Sequence, residues 1–378
     1  MCFGNGPKKE SVKMRGKVYV VTDGQAGSCG KGKLVGYLAR KLDVDITINH
    51  NMPNAGHTFV FDDGRKVVTH HLPIGVVNPR TTLLIGAGAV INPDILYKEL
   101  EENKDLINGR MLYIHERAAV VFDKHIVFER ENIRSGSTFQ GSAAANAEKS
   151  LRMPGTILAK DYPWKGKIFI YDDDLFFQMR RAGLSVLIEM SQGFDLDMNH
   201  GLPYPYTTSR GCTITDALAD CGIPYNDDIT SYMIFRPYPI RISNDSVEGK
   251  IYTGDYAGSR EISWEEVCER AGLNYIEEYT TVTKKKRRVF EFSWSRFYHA
   301  IEANNPDYLV LNFAQYLDGT VLESKHVEQV LQSSAIMGMI ANIKELYNKE
   351  VIMIGTGAKE GEIIDLSKEK EKVYSKRS

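Results

Sequence analysis

Short apolar runs recur along the chain at residues 18–21, 44–49, 83–85, 111–114, 185–189, 231–235, 308–312 and 351–354. Each has the length of a strand, and helix-like segments lie between many of them. Strands alternating with helices predict an α/β fold, a mostly parallel central sheet with helices on both faces. Two helices carry local signals. One, from Lys33 to about Leu42, sets Leu34, Val35, Leu38 and Leu42 on one face. The other starts at Asn92, an N-cap residue, with Pro93 at the first helical position before Asp94, Ile95 and Leu96. No internal repeat and no long Pro/Gly/Ser linker interrupts the alternation. The expected organisation is one domain with insertions over residues 17–366, between a loose polar tail (1–16) and a charged tail (367–378).

Composition narrows the reading. With 378 residues and 43% apolar side chains the chain can bury a large core. Forty-seven basic against 49 acidic residues leave a net charge of −2, which offers no footprint for nucleic acid or an anionic membrane. The exception is the basic run at residues 284–288, KKKRR. Five cysteines, odd in number and without a CxxC pair, suggest neither a disulfide framework nor a zinc site, and a reducing cytoplasm fits. No stretch of 18 apolar residues is present, and the first residues are polar rather than signal-like.

The candidate chemistry begins at residues 25–33, QAGSCGKGK, directly after the first apolar run. A strand entering a glycine-dense turn and then a helix aims free backbone N–H groups into the turn, which favours an anion such as phosphate. Lys31 adds a cation. This first turn is P-loop-like without being a standard P-loop, which opens on a glycine and follows its lysine with Ser or Thr. Those places hold Gln25 and Gly32. Taken alone, the turn is equally a tight strand-to-helix corner. A second polar element, Asn54-Ala55-Gly56-His57-Thr58, follows the β-type run at 44–48, where an open α/β sheet presents its site loops.

With these two elements the chain resembles adenylosuccinate synthetase, a family that carries a QWGDEGKGK loop and an NAGHT loop. That family uses GTP hydrolysis to join aspartate to the 6-position of inosine monophosphate. Further matches are Gly136-Ser137-Thr138, Glu148-Lys149 with Arg152, Ser191-Gln192-Gly193, His200-Gly201, the block at residues 204–209, Leu317-Asp318-Gly319 and Gly355-Thr356-Gly357. They follow the family order from residue 17 to about 365.

The resemblance implies roles. Gly30, Lys31 and Gly32, with Gly56, Thr58, Gln315, Gly355, Thr356 and Gly357, would bind the nucleoside triphosphate. His57 would give a proton or hydrogen bond to the departing O6, supported by Lys31, Gln192 and the residue at position 28. A histidine suits that role because its pKa lies near neutrality. The purine monophosphate would meet Ser28, Asn54, Ser137, Thr138, Gln192, Leu196 and Thr208. Arg152 would reach the nucleotide of the neighbouring subunit in a twofold homodimer. Thr283, Lys285 and Arg287 fall on positions that bind substrate aspartate, although Val282 and Lys284 replace a threonine and a glycine. Mg2+ would be held at Ser28 and Gly56. His70, His71, His115, His125, His299 and His326 are expected to serve backbone and packing.

Three departures redirect the expectation. The family's catalytic aspartate, which takes the N1 proton and helps to bind magnesium, is Ser28 here. The K-x-D element that reads guanine becomes Phe313 and Gln315, and a glutamine amide can donate to adenine N1 and accept from its 6-amino group. The chain is also shorter than typical members. These substitutions resemble the synthetases of bacteriophages with 2-aminoadenine in their DNA, which join aspartate to deoxyguanylate. The expected reaction is therefore ATP-driven ligation of L-aspartate to dGMP or GMP, in the cytoplasm of the host if the chain is phage-encoded. Asp23 or the carboxylate of substrate aspartate would take the N1 proton. An ordinary GTP-dependent enzyme acting on IMP and a non-catalytic purine-binding relative remain the alternatives.

Overall fold

The computed structural model describes residues 15–133, 137–243, 253–256, 258–279 and 286–367. Ten strands form the central sheet: β1 (Val18–Asp23), β2 (Ile46–Asn49), β3 (Thr82–Ile85), β4 (Leu112–His115), β5 (Ile168–Tyr171), β6 (Val186–Glu189), β7 (Ile229–Phe235), β8 (Tyr308–Leu311), β9 (Val351–Gly355) and β10 (Ile363–Asp365). Their spatial order is β10-β9-β8-β7-β1-β6-β2-β3-β4-β5. Every pairing is parallel except that of β10 with β9. The expected α/β architecture is the observed one.

Burial explains the apolar runs. In β1, Val18 and Val20 face one core cluster with Ile46, Ile48 and Val186, while Val21 faces another with Leu34, Val35 and Leu38 of the first helix. Both faces of the sheet are thus covered. The first helix spans Lys31–Lys41 and so begins two residues earlier than the apolar spacing indicates. Pro93–Glu102 is helical as expected, and the Asn92 side chain accepts hydrogen bonds from the backbone of Asp94 and Ile95. Two strands escape the apolar pattern. β5 lies at the sheet edge with Phe169 46% exposed, and β10 is three residues long and antiparallel.

The parallel order gathers the polar loops on one edge of the sheet, because each follows the carboxyl end of its strand. Residues 24–30 follow β1, 50–56 follow β2, 190–193 follow β6, Arg236 follows β7, 312–315 follow β8 and 356–357 follow β9. β1 lies between β6 and β7 at the centre of this row.

Candidate active site

The first loop is organised by a buried carboxylate. Asp23, the last residue of β1, is fully buried and accepts from the backbone N–H of Gln25 (3.0 Å) and of Cys29 (3.2 Å), and from Lys31 Nζ (2.9 Å). Lys31 also donates to the Gln192 carbonyl and is 4% exposed. Its ammonium is folded into the loop rather than extended from it. The helix begins at left-handed Gly30 (φ 94°), with no capping side chain and no acid in the first turn, so its end stays attractive to anions. Gly32 is required by contact: a Cβ there would lie 2.7 Å from the Thr58 nitrogen and 2.9 Å from the His57 Cβ. Ser28 stands exposed on the loop in a left-handed conformation (φ 58°).

Asp23 is therefore a loop organiser in this conformation. Its oxygens are engaged and out of reach of solvent. Lys33, two residues after Lys31, donates to the carbonyls of Gly357 (2.7 Å) and Glu362 (3.2 Å). Burial pushes its ammonium down to about 7, against the pull of Glu362.

His57 opens a short strand, His57–Val60, rather than lying within a loop. Its Nδ1 meets a carboxylate oxygen of Glu189, the fully buried last residue of β6. The other Glu189 oxygen accepts from the Ile74 N–H at 2.9 Å. A carboxylate on Nδ1 keeps the proton on that nitrogen and fixes the ring, leaving Nε2 as the other ring nitrogen for a reactant. Gln192 is left-handed (φ 64°) and its side-chain amide donates to the Asn54 side-chain oxygen at 3.2 Å. His57, Gln192 and Asn54 are thus brought around the first loop as expected.

The loop after β8 lies on the other flank. The Asn312 side chain donates to the Cys29 carbonyl at 2.9 Å, tying this loop to the first. Phe313 is left-handed (φ 60°), and its ring stacks on Tyr316 with centroids 5.8 Å apart. Gln315 is 7% exposed, and its amide oxygen has no hydrogen-bond partner. Beside Phe313 lies the buried guanidinium of Arg236, 4.2 Å from the ring centroid and paired with Glu278.

The remaining expected residues divide. Leu196 and Thr208 are joined by a backbone hydrogen bond of 2.7 Å, Thr208 N–H to Leu196 carbonyl. Ser137 and Thr138 lie half-buried before the helix Ser142–Leu151. That helix start is already occupied, since Glu129 accepts from the N–H groups of Gly141, Ala143 and Ala144. Arg152 caps the far end of the helix, exposed and left-handed, between Leu151 (68% exposed) and Met153 (49%). Gly355 and Gly357 lie at the carboxyl end of β9, with Thr356 between them. Thr356 is fully buried, and its hydroxyl donates to the Ser324 carbonyl at 2.7 Å. Arg287 lies on a strand, Arg287–Phe290, and pairs with Glu278 at 2.9 Å. Gly136, Thr283 and Lys285 lie outside the described residues.

The model of the adenylosuccinate synthetase family matches residues 20–162 and 162–324. The chain belongs to this family. The enzyme is 38% identical over 309 residues to N6-succino-2-amino-2'-deoxyadenylate synthase of Vibrio phage phiVC8, covering 79% of this chain and 86% of that protein. It is 32% identical over 361 residues to adenylosuccinate synthetase of Thermococcus sibiricus, covering 92% and 98%. Among solved structures, it resembles the succinoaminodeoxyadenylate synthetase of Cyanophage S-2L bound to dGMP and to dATP as an energy donor. That match has a TM-score of 0.80 and 32% identity, covering 96% of this chain and 100% of the other.

For an enzyme of this family, sequence reasoning missed three groups. Glu189, Arg236 and Glu278 each lie at the end of an apolar strand or in a charged stretch where no motif marks them. The usable signal was placement: Glu189 and Arg236 directly continue apolar runs, where a charge is buried and needs a partner. The magnesium ion implied by the family meets a neutral donor set, the exposed Ser28 hydroxyl and the exposed Gly56 carbonyl. Among the described residues no trio of His, Cys, Asp or Glu could hold a metal. Such a set fits magnesium carried mainly by nucleotide phosphates, which needs only one or two protein oxygens.

Proposed function

We propose that the enzyme joins L-aspartate to the 6-position of dGMP (or GMP), consuming ATP and releasing ADP and phosphate, to form a succinylated 2-aminoadenine nucleotide. The reading rests above all on Ser28, which stands exposed on the first loop where the family has a catalytic carboxylate. A serine leaves room for a 2-amino group beside N1, and its hydroxyl can accept from that amine. The phage relatives named above point the same way.

In this reading Lys31 leaves Asp23 for the β- and γ-phosphates, which the open helix start also receives. Magnesium, when bound with the nucleotide, supplies charge neutralisation at those phosphates. The γ-phosphoryl group passes to O6 of the purine as the N1 proton leaves, and the carboxylate of substrate aspartate is the acceptor for that proton. The aspartate amine then attacks C6, expelling phosphate as His57 Nε2 hydrogen-bonds the departing oxygen. Glu189 holds the imidazole for that step, and Gln192 and Asn54 hold the base. The amide oxygen of Gln315, buried and unpartnered, is suited to the adenine 6-amino group, while its NH₂ suits adenine N1. Arg287, with Thr283 and Lys285, would receive the aspartate carboxylates.

A second copy of the chain belongs to this proposal. Arg152 is exposed between two exposed apolar residues, a patch suited to a twofold partner whose nucleotide it would reach. The 92% coverage by an archaeal adenylosuccinate synthetase keeps IMP with GTP as the second reading. One experiment separates them: dGMP, GMP and IMP crossed with ATP, dATP and GTP, with the product identified by mass. Turnover of dGMP or GMP with an adenine nucleotide is the expected result. IMP turned over at least as efficiently would replace the proposal by the second reading.

A further inference from the structure

Arg236 is fully buried at the end of β7, and it joins three parts of the site at once. Its backbone is locked to the first loop by a reciprocal pair: Arg236 N–H donates to Gln25 Oε1, and Gln25 Nε2 donates to the Arg236 carbonyl, both at 3.0 Å. Its guanidinium takes Glu278 end-on, with Nη2 to Oε1 at 2.6 Å and Nη1 to Oε2 at 3.0 Å. Nη1 also donates to the Ser28 carbonyl at 3.2 Å.

This end-on geometry leaves Nε buried and without a partner, an expense that an arginine serving Glu278 alone would avoid by approaching side-on. Turning the fork is what brings Nη1 to Ser28. The ring of Phe313 closes one face of the guanidinium, and Tyr316 (3.0 Å) and Arg287 (2.9 Å) complete the shell of Glu278. Burial by itself would raise the Glu278 carboxyl, but Arg236 and Arg287 hold it down at about 2, so the pair stays ionised.

The geometry points to Arg236 as the positioning residue of the acceptor loop, holding Ser28 in its left-handed bend through the carbonyl. The assignment rests on the proposed role of Ser28 at the purine. A non-glycine residue with positive φ is disfavoured, and a hydrogen bond to its carbonyl helps to hold it there. Lysine cannot replace the arginine, because one ammonium lacks the fork needed to span Glu278 and Ser28 in fixed geometry.

The test compares Arg236→Lys and Glu278→Gln with the parent enzyme by hydrogen exchange and by phosphate release. In Arg236→Lys, amide exchange across residues 25–31 should rise at least tenfold while β1 stays protected. Its kcat should fall at least tenfold with KM for ATP within threefold. Glu278→Gln, which keeps the arginine but weakens its anchor, should raise exchange in 25–31 by about threefold or more. It carries the test should the lysine variant fail to fold. Exchange confined to the segment around Glu278, with residues 25–31 unchanged, would overturn the assignment. Rates are compared for whichever purine monophosphate the parent enzyme consumes, so a wrong acceptor changes the substrate used and not the ratio between variants. Hydrogen exchange gives its answer even without turnover.

Discussion

Replacing Glu189 by glutamine tests the catalytic proposal at its most exposed point. Glu189 divides its oxygens between His57 Nδ1 and the Ile74 N–H. A glutamine can satisfy only one of them. With its oxygen toward Ile74, its NH₂ faces His57 and forces the proton onto Nε2, which reverses the tautomer. With the amide reversed, two donors oppose each other at Ile74 in a fully buried place, a mismatch worth about 1–3 kcal/mol. Either way the ring is no longer held as the carboxylate holds it, and kcat should fall about 10²-fold or more, the scale of a positioned acid–base group. KM for the purine should change far less, because the base contacts of Gln192 and Asn54 are untouched. The assay is phosphate release at saturating substrates, with the product confirmed by mass and folding checked by thermal melting. A folded variant with kcat within threefold of the parent would refute the argument. So would a rise in purine KM with kcat unchanged.

Gln315→Asp should shift donor preference from ATP towards GTP, measured as the ratio of kcat/KM values. An anionic acceptor suits guanine's N1–H and 2-amino donors, and an unchanged ratio would remove Gln315 from base recognition. Ser28→Asp should erode the preference for dGMP or GMP over IMP in the same assay, and a retained preference would place acceptor selection elsewhere. Lys33 gives a pH signature. Its folded pKa, about 7, is depressed below its ordinary value, so the cost of its buried charge is fully present below pH 7 and is relieved as pH rises towards 10. The melting temperature of the parent should accordingly gain, relative to Lys33→Met, between pH 7 and 9; parallel pH profiles would contradict this.

The sheet was largely legible because its inner strands are buried on both faces and so read as unbroken apolar runs. β5 and β10 were not, since an edge strand with an exposed Phe169 and a three-residue return carry little pattern. The glycine turn and the NAGHT segment meet at the same edge of the sheet, where a Cβ on Gly32 would touch His57 and Thr58. Geometry was another matter: no spacing rule says that Asp23 captures Lys31, that Thr356 turns inward, or that Glu129 fills the helix start above Ser137 and Thr138. Some of these partners are near in sequence, Asp23 and Lys31 only eight positions apart, while His57 and Glu189 are 132 apart; each choice depends on which groups the packed fold brings face to face. Sequence identifies residue chemistry, whereas partner choice is decided by the sheet order.

That order also sets a timetable for biogenesis. The central strand β1 is made first, yet its neighbours are residues 186–189 and 229–235, with Val18 paired to both Val186 and Ile229. On the ribosome one hydrogen-bonding edge of this apolar strand therefore stays unfilled until residues 186–189 are made, and the other until residues 229–235 are made. Such long-range parallel pairing makes for slow folding and prolonged exposure to aggregation. A nascent chain released before residue 235 has no finished centre to its sheet and no active edge, so translation pausing or chaperone supply would govern the yield of this enzyme before any substrate does.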